Sequence, residues 1–196
     1  MRKIFAIALL AILIGSCKEE QKEVGKVEMV KSYIDALNES NYNAVVSMFA
    51  DSIRLNELVY KSTFSKEQYG NLFQWDSVFK PRYKILEIQL KEGVVEMRVS
   101  KQCKRIHFLN GEPIITREQV KFDANNIHSI DIVEYVVFND SLWTKNRAEL
   151  VSWTSNNHPE LDNFLFDQSL EGGVKFKEAI DRYQQAHPQE ESYRKL

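Results

Sequence analysis

Once Cys17 is set aside, Cys103 is the only cysteine in the chain. No disulfide framework can be built from that, and Cys103 reads as a small buried hydrophobe rather than a reactive thiol. Positive charge is not in excess either. The 26 Lys and Arg face 28 Asp and Glu, which argues against a nucleic-acid partner held through a cationic surface. Glycine-rich phosphate loops, a nucleophile elbow, internal repeats and low-complexity tracts are all missing. The histidines His107, His128, His158 and His187 are scattered without ligand spacing, so neither a metal nor another cofactor is expected. The longest wholly apolar run, Ile4–Ile14, has 11 residues. At about 1.5 Å each it reaches about 17 Å, roughly half a bilayer core, too short for a permanent transmembrane helix.

What precedes and follows that run gives it another meaning. Arg2 and Lys3 form a positive start, and Gly15-Ser16 place small residues before Cys17, the layout of an export signal. A buried N-terminal helix is the alternative. Leu13-Ile14-Gly15-Ser16-Cys17 resembles the lipobox of bacterial lipoproteins. That resemblance implies cleavage after residue 16, lipid on Cys17 and attachment to a membrane through it, since two or more acyl chains hold firmly where one does not. Lys18-Glu19-Glu20 resembles the signal that sends Bacteroidota lipoproteins to the cell surface, although such residues would also make a solvated tether. The expectation is an exported, lipid-anchored protein on the outer membrane, facing either the periplasm or the cell surface.

Removal of residues 1–16 leaves 180 residues, the size of one domain with or without an extension. It takes away Arg2 and Lys3, so 24 basic residues remain against 28 acidic ones and the net charge moves from −2 to about −4. Residues 17–26 read as the lipidated cysteine and a polar tether. From Val27 the period is helical: Val27, Val30, Ile34 and Leu37 form one stripe, with Met29, Tyr33 and Ala36 beside it. Asn41 can cap a short second helix that Ala50-Asp51-Ser52 would end. Ile53–Leu58 and Tyr60–Phe64 are short strand candidates. Ser65 can cap a third helix with Tyr69, Leu72, Phe73 and Phe79 inward, and Pro81 stops it.

The next stretch reads as β. Tyr83–Leu90 turns at Glu92-Gly93 into a long strand Val94–Phe108. Asn110-Gly111 predicts a hairpin turn into Ile114–Phe122, and Ile127–Phe138 follows after another turn. Short turns between neighbours imply an antiparallel meander. Helices first and a meander second predict an α+β fold, with three helices packed on a strongly curved, cone-shaped antiparallel sheet. Residues 139–187 form a helical extension: a helix from about Ser141, a short one at Pro159, a hinge at Gly172-Gly173 and a helix over Val174–Ala186. Trp143, Trp153, Phe164, Phe166, Phe176 and Tyr183 crowd it, as core or as a stacking or docking surface. Residues 188–196 read as a tail.

This order of elements resembles the nuclear transport factor 2-like (SnoaL-like) superfamily over residues 27–138. Tyr33-Ile34-Asp35-Ala36-Leu37-Asn38 and Met48-Phe49-Ala50-Asp51 are similar to the first two helices of ketosteroid isomerases and polyketide cyclases. The resemblance implies a cystatin-like α+β cone whose pocket opens at the wide end, and members that are isomerases, dehydratases, cyclases or non-catalytic binding modules. Fold alone does not choose among them. It also implies three site positions: Tyr33 on the oxyanion-hole tyrosine, Glu57 on the proton-shuttling carboxylate and Glu118 on the acid that stays protonated, a pattern long used to illustrate a neutral carboxylic acid. A carboxylate base with two neutral donors is sound chemistry for proton abstraction next to a carbonyl. Leu58 departs from the proline expected after the base. Strand parity adds that Glu118 shares a face with Ile114, Thr116, Val120 and Phe122, where it needs either a raised pKa or a buried cation.

Three functions remain at this level. The leading one is a non-catalytic domain that holds a small apolar ligand or associates with protein, as a homodimer or with an envelope partner. The others are an isomerase or dehydratase using Tyr33, Glu57 and Glu118, and a structural part of an envelope complex. An open pocket with the three side chains inward favours the enzyme; a pocket plugged by residues 139–187 favours association.

Overall fold

The computed structural model describes residues 25–188. The export segment, Cys17 and the tail beyond 188 therefore lie outside the described residues. Helix α1 occupies 25–38, so Gly25 and Lys26, read as the end of the tether, are helical. Val30, Tyr33, Ile34, Ala36 and Leu37 are buried along it, on the stripe that the period marks. Asn41 caps α2 (Tyr42–Ser47) by accepting from the Ala44 amide at 3.1 Å. Ala50-Asp51-Ser52 does not simply break this helix: strand β1 (Phe49–Glu57) already runs through it. A turn with Leu58 at φ 53° leads into β2 (Tyr60–Ser65). Ser65 and Gln68 then make a reciprocal capping box at the start of α3 (Lys66–Ser77).

Strand β3 (Arg82–Lys91) turns at Glu92 and Gly93, both at positive φ as a tight hairpin requires, into β4 (Val94–Gln102). Here the expected long strand is corrected. Residues 104–110 are not extended but form helix α4 (Lys104–Asn110), and Cys103 is its N-cap, its sulfur accepting from the Ile106 amide at 3.4 Å. Asn110-Gly111 is accordingly no hairpin turn. Gly111, at φ 81°, ends the helix, and its amide bonds back to the His107 carbonyl. The reason is burial: Ile106, Phe108 and Leu109 are all about 1% exposed, in one apolar cluster with Leu150, Phe176 and Ile180. Strands β4 and β5 (Ile114–Asp123) still pair antiparallel, with Met97 opposite Glu118, although a helix rather than a tight turn connects them.

Strand β6 (Asn126–Val137) completes a six-stranded sheet in the order β2-β1-β6-β5-β4-β3. Every pairing is antiparallel except β1 with β6, which is parallel. The fold is α+β, and the curved sheet is not closed; β2 and β3 remain its edges. Helices α1 to α3 fill the hollow, sharing a core with Phe49, Ile53, Val95, Met97, Val120 and Ile127. Fully burying one such side chain is worth about 2 kcal/mol.

A second core joins the end of α3 to α4, α5 (Asp140–Asn157), a 3₁₀ turn (Pro159–Leu161) and α6 (Leu170–Ala186). Phe164, Phe176 and Tyr183 are buried there, Trp143 and Trp153 are partly so, and Phe166 is 83% exposed. The expected hinge at Gly172-Gly173 is also corrected, for both glycines lie inside α6. A Cβ on Gly173 would meet the Trp75 carbonyl oxygen at 2.9 Å, and one on Gly172 would meet that of Asp167 at 2.0 Å. Close approach, not flexibility, explains the pair. No helix among the described residues is long and apolar enough to cross a membrane.

Candidate functional site

Strand alternation sends one set of side chains into the hollow. On β1 this set includes Leu55 and Glu57, on β4 Met97, Val99 and Lys101, and on β5 Thr116, Glu118 and Val120. Helix α1 lays Tyr33 across from them, and α3 brings Tyr69, Phe73 and Asp76. What remains open between helices and sheet is a cavity of about 440 Å³, lined among others by Tyr33, Leu55, Glu57, Tyr60, Leu72, Tyr83, Lys101, Glu118, Ile130 and Ile132. A recess of about 220 Å³ adjoins it through the shared walls Tyr33, Leu55, Leu72, Tyr83 and Lys101, and extends to Trp75, Asp76 and Arg105.

The three residues named from the resemblance therefore line one cavity. Glu118 is half-buried and accepts a hydrogen bond from the Thr116 hydroxyl at 2.7 Å. Burial pushes its carboxyl up, against the opposing pull of that donor and of Lys101. No ion pair to Glu118 occurs among the described residues, since Lys101 lies against Asp76 at 2.8 Å instead. Tyr33 is buried, and its hydroxyl is raised well above the usual tyrosine range by burial first and by Tyr69, Tyr83 and Glu118 next. Glu57 is exposed at the cavity's edge, and one oxygen accepts from the Tyr135 hydroxyl at 2.5 Å. Burial and Glu57 together raise that tyrosine.

Sequence reasoning missed the cluster beneath. Asp76 accepts from Lys101 at 2.8 Å and from the Tyr83 hydroxyl at 3.1 Å, and Arg105 lies 3.7 Å from its other oxygen. Burial would raise the Asp76 carboxyl, but Lys101 and Arg105 outweigh it and hold it below the usual value. A signal for two of these was present. Lys101 follows Val95, Met97 and Val99 on one strand face, and Asp76 continues the helical stripe of Tyr69 and Phe73. Arg105 had none, because its segment read as strand. Residues 139–187 do not plug the cavity; Gln168 alone among them lines it. Among the described residues, no three His, Cys, Asp or Glu side chains are grouped to hold a metal ion.

No protein-family model matches the chain, and no curated protein matches it in sequence. Solved structures do. An NTF2-like protein of unknown function from Cytophaga hutchinsonii is 16% identical, matching 58% of this chain and 88% of its own length with a TM-score of 0.44. A cystatin-fold protein from Novosphingobium aromaticivorans is 18% identical, over 55% and 97% of the two chains, with a TM-score of 0.45. A Kribbella flavida protein, 9% identical over 63% and 93%, has a TM-score of 0.50. Others carry provisional ketosteroid-isomerase and polyketide-cyclase names. At these identities the likeness is one of fold alone: the structural neighbours of this chain are NTF2-like, cystatin-fold and ketosteroid-isomerase-like proteins.

Proposed function

We propose that this chain is a ligand-holding domain of an exported lipoprotein, tethered to the cell envelope by lipid on Cys17 and binding a small, largely apolar molecule in the cavity under α1 and α3. The observation that carries the binding part is Glu118. It is a carboxyl on an apolar strand face, with Thr116 as its hydrogen-bond donor and no cation paired to it among the described residues, on the wall of an open cavity. A residue kept only for stability would pair its charge or be replaced by an apolar one. Apolar walls with a few converging polar groups are what small-molecule sites have in common. Native mass spectrometry of the Cys17→Ser chain should find a small molecule retained in stoichiometric amount, and reports the subunit count as well. A ligand-free spectrum after exposure to envelope extract speaks against it. The anchor is tested separately: Cys17→Ser should move the protein out of the membrane fraction, and an unchanged fraction removes the lipoprotein part.

A second reading, an isomerase- or dehydratase-type enzyme, is favoured by one observation, that Tyr33, Glu57 and Glu118 line the same cavity. In that reading Glu57 takes a proton next to a carbonyl while Tyr33 and a protonated Glu118 donate to the resulting oxyanion. Exchange of α-protons for deuterium in an enolisable ketone, lost in Glu57→Gln, would establish it.

A further inference from the structure

While Glu118, which shares the cavity with Lys101, keeps its proton, the Asp76 recess holds more positive charge than its one carboxylate neutralises. Lys101 and Arg105 both face Asp76, at 2.8 and 3.7 Å, so two cations share one carboxylate. The three side chains are only 26%, 15% and 18% exposed, respectively, so water screens the surplus weakly. Arg105 is also held in place. Its guanidinium lies over the rings of Trp75, Phe79 and Trp143 at 4.8, 5.5 and 5.6 Å. Three buried polar atoms around the recess have no hydrogen-bond partner among the described residues: Arg105 Nε, Trp75 Nε1 and Asp76 Oδ1. Two of them are donors. The third belongs to the carboxylate that Arg105 already faces. Orphaned buried donors are costly unless something accepts from them.

We infer that the recess is an anion subsite, and that the molecule held in the cavity is an amphipathic carboxylate whose head meets Arg105 and Lys101 while its apolar body lies against Leu55, Leu72, Ile130 and Ile132. This rests on the ligand-holding reading and names its ligand class. A neutral carbonyl would accept from the free donors but leave the surplus charge uncompensated, whereas a carboxylate does both. It also matches the planar guanidinium, which is oriented by its ring contacts before any ligand arrives. The shared walls of cavity and recess let one molecule occupy both.

The test uses the full chain with Cys17→Ser, so that no acyl chain competes, and the neutral fluorophore N-phenyl-1-naphthylamine as cavity reporter. Decanoate and decan-1-ol, equal in chain length, then compete for it at pH 6, where the acid is ionised while the Glu118 carboxyl, raised by burial, keeps more of its proton than at pH 8. Decanoate should displace the dye at a concentration at least about tenfold lower than decan-1-ol, a difference of about 1.4 kcal/mol. Arg105→Gln should abolish that preference while dye binding persists; circular dichroism checks its fold, and the wild-type comparison stands without it. Equal potency of acid and alcohol, or a preference that survives in folded Arg105→Gln, overturns the anion subsite and leaves the cavity reading intact. Absence of dye binding in the wild-type chain sinks the cavity reading, and the subsite with it.

Discussion

The Thr116 hydroxyl donates to Glu118 Oε1 at 2.7 Å from two residues away on the same face of β5. Glu118 thus receives a neutral donor where an ion pair would otherwise be needed, and its raised pKa has a direct consequence for stability. The folded state holds the proton more tightly than the unfolded chain, whose carboxyl titrates near 4.5. Stability from this group is fully present below that value and is lost as pH rises through the folded pKa. Glu118→Gln removes the loss and keeps an acceptor for Thr116. Its melting temperature should equal or exceed wild type at pH 8, and the advantage should shrink as pH falls toward 4.5. The reverse trend in parallel thermal scans would mean that a cation compensates the charge.

Asp76 carries the opposite sign. Its folded pKa is depressed, so it contributes stability above the unfolded value of 3.8, which disappears as pH falls through the folded pKa. Asp76→Asn removes the carboxylate that Lys101 and Arg105 share and should cost about 3 kcal/mol in urea unfolding at pH 7. Adding Lys101→Met should recover part of that loss. Simple additivity of the two substitutions would show that the pair is not coupled.

Gly173→Ala sets two effects against each other. Alanine improves helix propensity by about 1 kcal/mol. Its Cβ, however, would lie 2.9 Å from the Trp75 carbonyl oxygen and 3.2 Å from Val78 Cγ2, and overpacking of this kind costs about 1–3 kcal/mol. Backbone oxygen cannot step aside as a side-chain tip can, so the clash should win. A lower urea midpoint is expected, and a higher one would mean that α6 is free to shift on α3.

Cys103 is 5% exposed, and its sulfur is engaged with the Ile106 amide. In a Cys17→Ser background its reaction with a disulfide reagent should be slower in native buffer than in urea by a factor on the order of 100, because attack requires local opening. Cys103→Ser should keep the cap and Cys103→Val should lose it, at about 0.5–1 kcal/mol. Rapid native labelling would place the thiol at the surface.

The period of Val27, Val30, Ile34 and Leu37, the alternation around Glu118 and the Ser65 capping signal were legible because each reports a local regularity that burial then uses. Residues 104–110 were not. Asn110-Gly111 supplies a positive φ, which a hairpin and a helix end both require. The choice between them is made from a distance, where the buried Asn146 amide donates to the carbonyls of Phe108 and Leu109 at 3.1 Å, with Leu150 and Ile180 in the same core. Asp76, Lys101 and Arg105 come from a helix, a strand and the helix misread as strand, so no window of sequence contains their meeting. The sequence by itself determined which residues turn inward on the helices and strands whose period it shows, because periodicity is a property of neighbours. Only the tertiary structure decided that Lys101 and Arg105 meet at the Asp76 carboxylate, because low-dielectric burial and sub-4 Å approach between distant segments exist only once the chain has closed on itself.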